Sequence, residues 1–236
     1  MQLIIVTILM LYFGLGILAT QYLNRRPDRP YAKERWVKLL YYFLILAIVF
    51  SAIHFHQARP LAVVIAILGL YELIRAHMQS PRPNTQFCLF VLVYLFIAFS
   101  FIRFSSQASM ESLFYLYFIV VTFDGFSQIC GQLFGRRKLA LRISPNKTVE
   151  GLIGGLTIAL LSSLLLFQPM QVPFLQNLLL TGFVCLSALF GDLLASWYKR
   201  HYQLKDYSNL IPGHGGILDR FDSFIFSGAM YLFIFP

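Results

Sequence analysis

Apolar residues in this chain come in long, almost unbroken runs, and polar residues gather in the stretches between them. The runs lie at about 2–20, 37–55, 60–75, 86–103, 112–131, 151–168, 175–195 and 221–235. A bilayer's hydrocarbon core takes about 20 helical residues, so the pattern predicts eight membrane-crossing helices, the third and eighth short. Proline and glycine clusters separate the runs at Pro27–Pro30, Pro81–Pro83, Pro145, Pro169–Pro173 and Pro212–Gly216. No internal repeat and no separate soluble domain is visible. The expected organisation is one integrated membrane region, with N-terminal spans in 1–110 and the motif-bearing part in 111–236.

Charge sharpens this picture. All but two of the 19 Lys and Arg residues fall in the loops after the first, third, fifth and seventh runs; the exceptions are Arg59 and Arg103. That asymmetry places those loops in the cytoplasm and both termini outside it. Hydrophobic residues make up 58% of the chain and charged residues 12%, against about 25% charged in soluble domains. The net charge of +9 therefore speaks for topology and anionic phospholipid, not nucleic acid. Cys88, Cys130 and Cys185 lie far apart in or near apolar runs, without metal-ligand spacing, and read as small buried apolar residues. The first run has its basic residues after it, not before, which marks a retained span and not a cleaved leader.

Chemistry concentrates between Gly191 and Asp222. This segment holds Asp192, Asp206, Asp219, Asp222, Lys199, Arg200, Lys205, Arg220, His214, Gly213, Gly215 and Gly216. Ionisable groups near hydrocarbon need partners, water or a ligand. On a helix, Asp192, Ser196 and Lys199 or Arg200 share a face, as do Asp219 and Asp222. Two such faces suit a hard cation such as Mg²⁺; they suit a structural salt-bridge network with Arg200 and Arg220 equally well. The Pro212–Gly216 run offers backbone N–H groups to a phosphate, with His214 in its middle as either a structural or a ligand-contacting residue. Upstream, Ser144 and Pro145 read as the N-cap and first residue of the next helix, which would put Lys147 and Thr148 beside its free N–H groups. No Walker A glycines precede Lys147. Gly151 and Gly155 read as helix packing. Glu72 reads as a partner of Arg75.

The run from Ser196 to Asp222, SWYKRHYQLKDYSNLIPGHGGILDRFD, closely resembles the signature of the phosphatidate cytidylyltransferases, and ISPNKTVEG, Ile143–Gly151, is similar to that family's SPxKTxEG segment. The motif-bearing resemblance covers about residues 119–235. It implies an all-α polytopic membrane fold of about eight spans, a cytoplasm-facing polar cavity and a homodimer. It also implies a reaction in which CTP and phosphatidic acid give CDP-diacylglycerol and pyrophosphate with Mg²⁺, possibly beside a second cation. By motif, Asp192, Asp219 and Asp222 are the metal residues. Lys147, Lys199, Arg200, Lys205 and Arg220 are the phosphate-binding residues. Ser144, Pro145, Thr148, Ser196, Asp206, Gly213, His214, Gly215 and Gly216 complete the substrate site. The chain departs from the family pattern at Ser127-Gln128, where an alanine–aromatic pair is more usual, and at Ala195, where some members carry an acid. These departures bear on the lipid acceptor, not on nucleotidyl transfer.

A phosphomonoester is already a nucleophile, so the expected chemistry needs no covalent intermediate; it needs cations that bring two polyanions together in line. The competing readings are a paralogue that uses CTP on another lipid phosphate or lipid alcohol, a cation-coupled transporter, and an inactive scaffold. Crowding of charge on one face and the absence of a repeat speak against the transporter. The expected location is the bacterial inner membrane with the site facing the cytoplasm.

Overall fold

A computed structural model of the chain describes residues 2–24, 32–79, 86–166, 171–211 and 215–234. Among these residues there are eight helices: α1 Gln2–Asn24, α2 Ala32–His54, α3 Ala58–Met78, α4 Phe87–Gln107, α5 Met110–Phe134, α6 Val149–Ser163, α7 Phe174–His201 and α8 Leu218–Ile234. Each corresponds to one of the eight apolar runs. Five helices are long and apolar enough to cross a membrane, and α1 and α6 contain shorter apolar stretches. Together with the family resemblance, this is a polytopic helical membrane protein. Its exposed apolar side chains, among them Leu92, Phe96, Phe99, Leu179 and Phe190, suit contact with lipid tails.

Helix α5 is the core. Its residues Leu113–Val120 are buried without a break, which is the mark of a helix covered on every side. Against it packs α6, and small residues explain how closely. A Cβ on Gly151 would overlap the Ser127 carbonyl, one on Gly154 the Cys130 side chain, and one on Gly155 the Ser127 hydroxyl and the Phe123 carbonyl. The expectation that Gly151 and Gly155 serve helix packing is met in this contact. Near the other end of α5, Tyr115 Oη donates to Asn177 Oδ1 at 2.8 Å. Asn177 Nδ2 donates to Ser163 Oγ at 3.0 Å. These bonds tie α5, α6 and α7 through a buried polar network. Helix α8 packs against α3, α4, α5 and α7, so the last motif enters the middle of the bundle.

Between α5 and α6 lies a short antiparallel hairpin, β1 Lys138–Ala140 and β2 Ser144–Thr148. This corrects the reading of Ser144 and Pro145 as a helix start. The helix begins at Val149, and its N-cap is Thr148, whose Oγ1 accepts from Gly151 N at 3.1 Å. The hairpin pairs Lys138 with Thr148 and Ala140 with Ser144, with an irregular register between. Three residues, Pro145, Asn146 and Lys147, thus oppose Leu139 alone. A bulge leaves backbone groups unpaired, so proline's missing N–H does no harm there. Helix α7 also runs to His201, beyond the apolar run that ends near 195. Ser196, Lys199 and Arg200 are therefore helical. Arg103 lies within α4, near its end, and its Nε donates to Gln107 at 3.3 Å.

Candidate active site

Three elements bring the predicted residues together at one end of the bundle. The bulge of β2 delivers Lys147, α7 delivers Asp192, and α8 delivers Asp222. Lys147 Nζ forms an ion pair with Asp192 Oδ2, and Ser196 Oγ donates to Asp192 Oδ1 at 3.2 Å. The predicted face of α7 is thus real, and it meets a lysine from the other motif. Asp222 accepts at Oδ1 from Ser223 N at 2.7 Å; no donor among the described residues bonds its other oxygen. The charges of Asp192 and Asp124 both act on Asp222, and those of Asp192, Lys147 and Arg220 act on Asp124. Asp124, on α5, stands beside these acids, and the motif reading passed over it. Its signal was present in the sequence, since a carboxylate deep in an apolar run needs a reason to be there.

Asp219 has a different position. Its Oδ1 takes a 2.5 Å bond from Lys199 Nζ, and Oδ2 accepts from Tyr207 N at 2.9 Å and Gly216 N at 2.8 Å. Both oxygens are engaged by donors of α7 and of the loop between α7 and α8. Lys199 also lies 5.2 Å from the centroid of the Tyr207 ring. The Gly216 N–H is therefore committed to a carboxylate. Gly215 has φ +83°, and a Cβ there would press on Asp219 Oδ2 and the Asp206 side chain. A left-handed backbone this close to two acids calls for glycine. Ile211 N donates to Gly215 O at 2.8 Å. Pro212, Gly213 and His214 lie outside the described residues.

The remaining predicted residues divide between support and exposure. Arg200 Nε donates to Ile143 O at 3.3 Å and Nη1 to Leu204 O at 2.8 Å. It thereby holds the hairpin against the end of α7. Of the salt-bridge network weighed with Arg200 and Arg220, the described residues contain the Lys147–Asp192 and Lys199–Asp219 pairs, with neither arginine in them. Lys205, Asp206 and Arg220 are exposed, and Ser144 and Pro145 sit on the hairpin. Glu150 binds Arg137 at 3.1 Å and accepts from Arg136 N at 3.0 Å. Glu72 also departs from its expected pairing with Arg75: it is wholly buried, and its oxygens accept from Ser208, Ile217 and Leu218. The sequence showed a buried acid in an apolar run but not which distant loop would meet it.

A narrow apolar cleft of about 100 Å³ leads from the helix faces toward Asp222. Phe90, Val93, Leu194, Trp197 and Ile225 line it, and Asp222 is the one charged residue among the described residues that line it. Val93, Leu194 and Trp197 are well exposed, so its mouth faces the side of the bundle.

Residues 1–235 match the model of the "Cytidylyltransferase family". The chain is 41% identical over 145 residues to a phosphatidate cytidylyltransferase of Bacillus subtilis, covering 59% of this chain and 54% of that protein. It is 38% identical over 172 residues to the enzyme of the same name from Staphylococcus saprophyticus, covering 72% and 66%. With that of Staphylococcus aureus it shares 41% over 147 residues, covering 61% and 56%. The matched segments thus span between about half and two thirds of these relatives.

Proposed function

The chain belongs to the cytidylyltransferase family, and on that footing we propose that it transfers a cytidylyl group from CTP to phosphatidic acid, giving CDP-diacylglycerol and pyrophosphate. The observation that carries this reading is the meeting of Lys147 with Asp192 beside Asp222 and Asp124: a cation and three acids from four separate elements, with Asp222 also lining an apolar cleft. A lipid phosphate and a nucleoside triphosphate need such a mixed set.

A lipid phosphate oxygen attacks the α-phosphorus of CTP, the bond to the β-phosphate breaks, and pyrophosphate departs with the electron pair. Lys147, Arg220 and Lys205 offset the repulsion between the two anions and the charge on the leaving group. Lys199, Asp219 and Arg200 hold the loop and hairpin that carry the others. The donor set fits Mg²⁺, which is held by one or two carboxylates together with substrate phosphates and water. Asp192, Asp222 and Asp124 are the residues that would hold it; among the described residues no group of three acids, histidines or cysteines closes on a metal by itself. Asp219 fits less well than the motif suggested, because the protein already uses both its oxygens. When bound, Mg²⁺ supplies charge neutralisation at the reacting phosphates.

The same reading places the site on the cytoplasmic face of a bacterial inner membrane, in keeping with the charge asymmetry of the loops, and pairs two chains in the bilayer. The test is transfer of label from CTP by detergent-purified protein with Mg²⁺ to phosphatidic acid and to a panel of other lipid phosphates and lipid alcohols. Labelled CDP-diacylglycerol is expected. Product from another acceptor alone would replace phosphatidic acid, and no transfer to any acceptor would overturn the reading. Cross-linking in native membranes reports the pairing.

A further inference from the structure

On the reading of the site given above, we propose that Glu72, on α3, is a positioning residue for the transfer reaction, acting through the loop before α8 and the first turn of that helix. Glu72 is wholly buried. Its Oε1 accepts from Ser208 Oγ at 2.5 Å and from Ile217 N at 3.0 Å; its Oε2 accepts from Leu218 N at 2.7 Å. All three partners are donors, and a carboxylate is the side chain that accepts at both oxygens. Backbone N–H groups at a helix start lack partners within the helix, and negative charge is favoured there. Glu72 thus does for α8, from another helix, what an N-cap ordinarily does from within the chain.

The fit is close as well as polar. A Cβ on Gly216 would overlap the Glu72 carboxylate, so glycine there admits the acid. On the other side of the same loop, Asp219 holds Tyr207 N and Gly216 N. Two acids from two helices therefore clamp one loop. Helix α3 is itself pinned to α7, because Tyr198 Oη donates to Leu73 O at 2.9 Å. Arg220 and Asp222 ride on the turn that Glu72 fixes. A change at α3 is transmitted to them through the backbone, without contact between Glu72 and substrate.

Glu72→Gln keeps the volume and puts an amide NH₂ where an acceptor stood. Ser208→Ala removes one donor and leaves the acid in place. Both are purified in detergent, corrected for folded protein by size exclusion, and measured in two ways: kcat and KM for CTP and lipid, and hydrogen exchange at the Ile217 and Leu218 amides. For Glu72→Gln we expect kcat to fall tenfold or more per folded molecule, with the KM for lipid unchanged and faster exchange at those two amides. Ser208→Ala is expected to move both readouts in the same direction by less. Unaltered kcat per folded molecule in both variants would overturn the assignment, even if the yield of folded protein fell, because that is the result of a merely structural role. If Glu72→Gln does not fold, Ser208→Ala decides by the same criterion. If wild-type protein transfers no cytidylyl group while exchange still responds to Glu72→Gln, the transfer reading fails and the clamp stands. If exchange does not respond either, both fail.

Discussion

Two lysine–aspartate pairs flank the site, and water separates their behaviour. In the Lys147–Asp192 pair the side chains are 24% and 29% exposed; in the Lys199–Asp219 pair they are 10% and 1% exposed. A pair in contact with water contributes about 0–1 kcal/mol, because solvent screens it and takes its place. A buried pair that loses one partner leaves a stranded charge, at a cost of roughly 3–5 kcal/mol. The first pair opens at little cost, which on the proposed reading would free Lys147 for a phosphate and Asp192 for a cation. The second has two further backbone donors on its acid and is suited to holding a loop. The same pairing of residue types thus serves different ends according to burial.

The largest effects separate these ends. Asp222→Asn and Lys147→Met are expected to lower kcat by about 10²–10³-fold, the scale for losing one preorganised electrostatic group. Their thermal stability should stay near wild type. Wild-type turnover in both would remove Lys147 and Asp222 from the chemistry. Asp219→Asn should lose activity too, but with a stability loss of roughly 3–5 kcal/mol, because Lys199 keeps its charge in a buried place. If Asp219→Asn melts like wild type, the distinction between the two pairs collapses.

Much of this fold was legible in the sequence, because hydrocarbon imposes a pattern that no short loop imitates. All eight apolar runs are helices, and the acids on α7 and α8 fall on the faces their spacing implied. The hairpin was not legible. Ser144-Pro145 satisfies the local rule for a helix start, but the partner that makes Ser144–Thr148 a strand is a segment across a turn, and Thr148 takes the cap. Nor was the division of labour among the acids legible: Asp219 and Asp222 look alike in sequence, and only distant donors distinguish them. Glu72 and Asp124 announced themselves as acids in apolar runs, yet their partners lie on other helices. The Ser127 hydroxyl faces Gly155 and finds no partner among the described residues, and nothing in the structure explains the serine.

Ser127→Ala therefore sets a smaller, third level. Removing an unpaired buried hydroxyl is expected to change stability by about 1 kcal/mol at most, toward greater stability, and to leave acceptor preference unchanged. A change in which lipid is used would return this position to the substrate site, where the family comparison had pointed.

The smallest effect comes from a third ion pair, Arg137–Glu150, at the base of the hairpin. The Glu150 carboxyl is lowered from 4.5 to about 2, first by the Arg136 N–H and then by its own N–H and that of Arg137. Because the folded value lies below the unfolded one, the stability Glu150 contributes is complete above about 4.5 and disappears as pH falls through about 2. Glu150→Gln should therefore melt slightly lower than wild type at neutral pH, with the gap closing as the solution approaches pH 2. High salt should reduce the part of the gap that belongs to Arg137 and spare the part that belongs to the backbone N–H groups. A gap that persists unchanged into acid would mean that the carboxylate's charge contributes nothing, leaving the hairpin base to ordinary packing.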